Sequence, residues 1–217
     1  MQIIKLIFVV ASIVLLAITG GGAVDFTVEQ VNEAMSKHGY TPNWDYLNAV
    51  VPKVNGAFQD PNEAAEFIAQ CGHESGGYQY IEEIQCSQQN SCEGMYGTGA
   101  EGKNYHGRGF IQLSWPDNYR AASQALGRGD DFYYYPEIVA QDPNVGADVS
   151  IWYWQTRVAN YPGVKEKHFG ATTRAINSPV ECTGNNVEQS RNRWDLYQIV
   201  CDTLGVNDRS DESGCYN

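Results

Sequence analysis

Two glutamates, Glu74 and Glu83, stand nine residues apart with Gly76-Gly77 between them. A pair of carboxylates held in different surroundings can divide acid and base work. One, kept protonated, gives a proton to a leaving oxygen; the other, kept ionised, draws one from water. Hydrolysis of a glycosidic bond needs that division. Glu74 has an apolar approach and Glu83 is followed closely by Cys86 and Cys92, so the two surroundings differ already in the sequence. Spacing alone carries no more, because acidic residues beside turns are mostly solvated or cap helices.

Other chemistries fall away. Gly97 to Asn104 comes close to a phosphate-binding loop, but Asn104 stands where Ser or Thr should hold magnesium, and no apolar strand precedes it. His73-Glu74 opens like a zinc-protease motif, yet position 77 is glycine where the second histidine is required. His38, His73, His106 and His168 have no metal-ligand spacing, and no Gly-x-Ser-x-Gly elbow is present. No metal and no cofactor are expected.

Helices should position the two carboxylates. Thr27 to His38 and Trp44 to Val54 read as amphipathic helices, with Asn55-Gly56 as a turn. Asp60-Pro61-Asn62-Glu63 joins a capping aspartate, a proline at the first helical position and a glutamate at the third, so a helix starts there. Its apolar stripe of Ala64, Phe67, Ile68 and Cys71 continues onto Glu74, just before the glycines stop the helix. Tyr78 to Glu83 alternates weakly, as a short strand would, and Gly94 to Gly109 is a glycine-rich loop. Asp142-Pro143 starts a helix through about Thr156 with two apolar sides: Val145, Val149 and Trp152 on one, Ala147, Ile151 and Trp154 on the other. Such a helix belongs in the centre of the core. A last helix spans about Val187 to Leu204 and ends at Gly205. The fold class is mainly α, α+β with at most a very small sheet.

The 217 residues, 42% hydrophobic and 18% charged, suit one compact domain rather than a disordered or fibrous chain. Residues 1–23 have the layout of a secretory signal peptide: Lys5, an apolar run from Leu6 to Ile18, then small residues to Ala23. Cleavage there leaves a domain at 24–217 that is secreted, extracellular and soluble, because no later segment approaches the twenty apolar residues a membrane span needs. Without Lys5 the balance is 13 basic against 26 acidic residues, a net −13. Nucleic acid and anionic membrane are therefore excluded as partners, and a neutral or cationic ligand fits. Six cysteines in an exported chain point to disulfides; 15 pairings are possible, with Cys86–Cys92 the expected short loop.

His73-Glu74-Ser75-Gly76-Gly77-Tyr78, Glu83, and Tyr105-His106-Gly107-Arg108-Gly109-Phe110-Ile111-Gln112-Leu113-Ser114-Trp115 resemble the catalytic domain of glycoside hydrolase family 19 chitinases of the compact, loop-poor type. Trp152-Tyr153-Trp154, Ala175-Ile176-Asn177, Glu181-Cys182, Arg193 and the stretch from Tyr197 to Val206 follow in order, so the resemblance covers nearly all of 24–217. It implies a lysozyme-like fold of two lobes around a substrate groove, and an endochitinase that hydrolyses chitin or chitooligosaccharides with inversion, as a monomer. Glu74 would be the general acid and Glu83 the base, with Ser114 holding the attacking water. Gln112, Asn118 and Asn177 would bind the sugar, Tyr105 and Trp115 flank the cleft, and His73 belongs to the binding set or supports the helix end. Glu181 and Arg193, also in that set, would support the acid from behind. The family pattern also implies a Cys182–Cys215 disulfide, leaving Cys71 and Cys201 as buried thiols or paired together.

The chain departs from the pattern at Phe110, Asp117 and Ser178-Pro179, which would alter the groove wall. With no cysteine-rich chitin-binding module ahead of the domain, weak binding to crystalline chitin is expected. Two other readings share the motif or the groove. A peptidoglycan-cleaving muramidase is disfavoured by the negative charge, which opposes approach to anionic cell walls. A non-catalytic chitin-binding defence protein would be expected to have lost Glu74 or Glu83, and both are present.

Overall fold

A computed structural model describes residues 24–89 and 92–217; the expected leader lies outside the described residues. Local capping explains where most helices begin. Ahead of α1 (Val28–Lys37), the Thr27 side chain accepts from the Gln30 N–H while the Gln30 side chain accepts from the Thr27 N–H. Asp60 accepts from the Asn62 N–H at the start of α3 (Pro61–Glu74), and Asp142 from the Asn144 N–H at the start of α8 (Pro143–Tyr153). Between them lie α4 (Ile84–Gln89), α5 (Pro116–Ala125), α6 (Asp131–Tyr134) and α7 (Ile138–Gln141). α8 runs on into a π-helical turn, Trp154–Val158, followed by α9 (Phe169–Asn177) and α10 (Val187–Leu204), which left-handed Gly205 ends.

Two local turn and strand expectations fail here. α2 (Trp44–Ala57) runs straight through Asn55-Gly56. The Asn55 side chain bonds both backbone groups of Phe26, at 3.0 and 2.8 Å, so a long-range contact overrides the local turn preference. The strand from Tyr78 to Glu83 does not form either. Tyr78, with φ 61°, is buried with its hydroxyl on the Ile68 carbonyl, which holds the segment against α3 instead of alongside a partner strand. Isolated bridges, Glu82 with Arg108, Arg108 with Leu113 and His168 with Asp211, are the only β pairing outside helices among the described residues. Gly77 allows the turn: its φ is +72°, and a Cβ there would lie 2.2 Å from Tyr40.

The buried apolar residues form two clusters, and α8 serves both. Ala147, Ile151 and Trp154 enter the larger one with α1, α2, α3 and α10, while Val145 and Val149 enter the smaller one, against which Trp152 packs. The two-sided pattern in the sequence thus marks the helix shared by two lobes. α3 departs from its expected single stripe, because it is covered on nearly all sides, by α10 and α9 among others. Asn62, Glu66 and Gln70, four residues apart on one line that leads to Glu74, are buried with it. Tyr197 and Ser210 bond Asn62, Ser210 bonds Glu66, and Gln70 donates to Thr172 and Thr173 at 2.8 and 2.9 Å. Every member of this polar line has partners, as burial demands. Disulfides join Cys86 to Cys92 and Cys182 to Cys215, whereas Cys71 and Cys201 are buried free thiols.

Candidate active site

An open groove of about 420 Å³ lies where the two lobes meet, and both glutamates line it. Glu74, the last residue of α3, has a side chain 17% exposed and accepts from Arg193 Nη2 at 2.5 Å. Arg193, on α10, is fully buried. Its Nε and Nη2 donate to the two oxygens of Glu181 at 2.7 and 2.8 Å, and its Nη1 donates to Gln70 at 2.8 Å. Burial by itself would lower the Arg193 pKa; Glu74 and Glu181 outweigh it and hold the group charged, above its ordinary range. One guanidinium here faces two carboxylates, so a single proton on either makes the cluster neutral. Asn177 joins the cluster by donating to Glu181 at 2.6 Å.

Glu83 meets a different environment. The Tyr96 hydroxyl donates to both its oxygens, at 3.0 and 2.8 Å, and the Gly107 N–H donates to Oε2 at 3.1 Å. The Glu83 N–H returns a bond to the Gly107 carbonyl at 2.9 Å. Glu82 turns the other way, where His106 and Arg108 both meet its Oε1 at 2.8 Å. This anchor fastens the backbone beside Glu83 to the 106–108 segment. Among the described residues, Glu83 with Cys86 and Cys92 is the one grouping of metal-ligand types, and both sulfurs are joined in a disulfide.

Of the residues singled out by sequence, Gln112, Ser114, Trp115, Asn118 and Asn177 line the groove beside the glutamates. Trp115 is 51% exposed, with φ 76°. Gln112 has φ 56° and packs so closely on Gly107 that a Cβ there would come within 2.6 Å of its Oε1. The Ser114 hydroxyl donates to the Gln112 carbonyl at 3.1 Å, and the hydroxyl on Glu83 is that of Tyr96. Asn118 Nδ2 donates to the Ser114 carbonyl at 2.9 Å, fixing the segment's curve.

Four residues of the expected binding set do not line the groove. His73 precedes Glu74 on a helix, about 100° round its axis, and so turns away from the groove. Burial, the Arg193 charge and His38 push its pKa down to about 2, so it is neutral. Tyr105 is buried in the smaller cluster rather than flanking the cleft; its hydroxyl donates to the Tyr133 carbonyl and accepts from the Ala100 N–H. Glu181 and Arg193 are buried behind Glu74 and Asn177, out of reach of a sugar. None of Phe110, Asp117, Ser178 and Pro179 lines the groove itself; Phe110 is a core residue packed on Tyr46 and Tyr78. Sequence reasoning passed over Tyr96 in the lining and Gln70 behind it, and named Tyr153 and Ile176 only as part of the family resemblance, with no site role. The line of polar residues at 62, 66, 70 and 74 was a usable signal for Gln70; Tyr96, in an aperiodic glycine-rich loop, had none.

The sequence model of glycoside hydrolase family 19, described as chitinase class I, matches residues 59–170. The chain belongs to this family. It is 39% identical to acidic endochitinase SP2 of Beta vulgaris over 171 residues, 74% of this chain and 57% of that protein. It is 35% identical to basic endochitinase CHB4 of Brassica napus, covering 87% of this chain and 72% of that one. The match thus spans little more than half of the first of these relatives. Among solved structures, chitinase C from Streptomyces griseus HUT6037 is similar, with a TM-score of 0.65 and 30% identity over 87% of this chain and 96% of that one. The fold of this family 19 chain is the mainly α, lysozyme-like one, and the groove lies between its lobes.

Proposed function

We propose that this family 19 chain is an exported endochitinase, acting as a monomer through one catalytic domain at 24–217, which cleaves β-1,4-linked N-acetylglucosamine polymers by inverting hydrolysis. One observation carries the reading: two glutamates in unlike surroundings line a single open groove. Glu74 is the general acid. It lies beside the buried Arg193–Glu181 pair, where one proton on Glu74 balances the charge, and that proton passes to the leaving glycosidic oxygen. Glu83 is the general base. The Tyr96 hydroxyl and the Gly107 N–H both donate to its carboxylate, and it takes a proton from the water that attacks the anomeric carbon. Ser114, whose hydroxyl keeps lone pairs after its bond to Gln112, contacts that water, while Gln112, Asn118 and Asn177 offer amides to the sugar and its N-acetyl group.

Hydrolysis of chitin hexamer followed by NMR before mutarotation tests this, with purified peptidoglycan in parallel. The α-anomer should form first at the new reducing end. Glu74→Gln should abolish turnover, by at least about 10²–10⁴-fold, with the hexamer still bound. A β-anomer first would reject the role of Glu83; preference for peptidoglycan would favour a muramidase; and retained activity in Glu74→Gln would remove the acid.

A further inference from the structure

Resting on the two-glutamate reading above, we propose that Tyr96 is a positioning residue for the base: its hydroxyl fixes the Glu83 carboxylate, and its ring ties that carboxylate to the groove-facing indole of Trp115. The family resemblance implied Ser114 as a hydroxyl that holds the attacking water with Glu83. In the structure Ser114 donates to the Gln112 carbonyl, and Tyr96 bridges both oxygens of Glu83. The carboxylate is thus held from two sides, by the backbone N–H of Gly107 on Oε2 and by the tyrosine across both oxygens. Among the described residues Oε1 meets Tyr96 alone, which leaves a lone pair there for the attacking water. Without the tyrosine hydroxyl, one anchor remains and the carboxylate can rotate out of line with that water.

The tyrosine is itself held. Its ring meets Trp115 edge-on at 5.7 Å, with an interplanar angle of 74°. Its loop is pinned three residues later, where Gly99 lies so close to the Tyr105 ring that a Cβ would come within 2.3 Å, and the Ala100 N–H bonds the Tyr105 hydroxyl. This gives buried Tyr105 a purpose that its absence from the groove would otherwise leave open. The Trp115 N–H in turn donates to the Tyr105 carbonyl at 2.9 Å, so Tyr96 and Trp115 share one support. A sugar ring stacked on the exposed Trp115 face presses on the edge-on tyrosine and, through it, on Glu83.

The charged and titratable groups near Glu83 are few. Tyr96 comes from the loop. Glu82 is next in the chain, with its carboxylate turned to His106 and Arg108, and Tyr119 of α5 stands behind Arg108. Burial and the bond to Glu83 push the Tyr96 hydroxyl up to about 12, so it remains a donor wherever the enzyme works.

Tyr96→Phe is the test, with thermal melting to verify the fold of the variant. On chitin hexamer, kcat should fall about 10-fold with KM within about twofold, the scale of one hydrogen bond to a charged group. The acidic limb of the kcat profile should move to higher pH in the variant, since a donor to a carboxylate favours its charged form. A ¹³C NMR titration of the Glu83 carboxyl, assigned with Glu83→Gln, should show the same shift without any need for turnover. Trp115→Ala should lower kcat in the wild type and not lower it further in Tyr96→Phe. An unmoved titration with unchanged kcat would overturn the positioning role. A raised KM with unchanged kcat would make Tyr96 a sugar platform instead, and additive losses with Trp115→Ala would remove the coupling. If Glu83→Gln retains full activity, the two-glutamate reading itself fails, and the NMR titration still decides whether Tyr96 grips Glu83.

Discussion

Arg193→Met should be among the most damaging single changes in this protein. The methionine fills much of the arginine's space but leaves Glu181, 4% exposed, and Glu74 without the cation that both now bond, and leaves the Gln70 carbonyl without its donor. Removing one partner of a buried pair costs about 3–5 kcal/mol, mostly through the uncompensated charge left behind. For a domain of this size that corresponds to a drop in Tm of about 6–20 °C at neutral pH. The loss should shrink in acid. A buried carboxylate without its counter-ion favours the neutral form, so in the variant the folded state binds more protons than the unfolded state above about pH 4.3, and stability falls as pH rises. Differential scanning calorimetry of the wild type, Arg193→Met and Arg193→Met/Glu181→Gln between pH 4 and 8 measures this. The double variant should recover at least half of the loss, because the stranded charge is gone. A fall of less than about 2 °C in the single variant, or a double variant no more stable than the single one, would refute the claim that Arg193 neutralises a buried cluster.

Burial, opposed by the Ser210 hydroxyl and reinforced by Glu63 and Asp60, pushes the Glu66 carboxyl up to about 8. As an acid with a raised folded pKa, Glu66 leaves stability intact below about pH 4.3 and drains it as pH rises toward 8, so Glu66→Gln should raise Tm at pH 9 and scarcely change it at pH 5; a pH-independent difference would contradict this. The Cys182–Cys215 bond closes a separation of 33 residues and Cys86–Cys92 one of 6, so Cys182→Ser/Cys215→Ser should cost about 3–4 kcal/mol in urea unfolding against about 2 kcal/mol for Cys86→Ser/Cys92→Ser. Equal losses would show that the folded-state surroundings, rather than loop closure, set the effect.

Features written within a few residues of one another were legible in the sequence. Thr27, Asp60-Pro61, Asp142-Pro143 and Gly205 mark helix ends because capping bonds span two to four residues. The two apolar sides of α8 marked a helix at the centre of the core, since 3.6-residue periodicity maps sequence directly onto faces; that the two sides serve two separate clusters came from the structure. The glutamate pair and the 105–115 segment marked the neighbourhood of the groove, and five of the residues named there or beyond do line it.

Contacts across long stretches of chain were not legible in local spacing; the family resemblance alone implied the Glu181–Arg193 support behind the acid and the Cys182–Cys215 bond, and the structure contains both. Phe26 keeps Asn55 inside a helix from 29 residues away, and Arg193 reaches Glu74 and Gln70 from 119 and 123 residues away. Residue type could not say that Tyr105 goes inward and Tyr96 outward, since both are tyrosines in one aperiodic loop. Only the packing of Tyr105 on Tyr119 and Tyr133 separates them. The sequence by itself therefore determined five helices, α1, α2, α3, α8 and α10, together with the two carboxylates and the family. The tertiary structure decided which of the named side chains face the groove and added Gln70 behind Arg193 and Tyr96 on Glu83, because each such position is set by the sum of contacts from distant segments, and no local spacing encodes that sum.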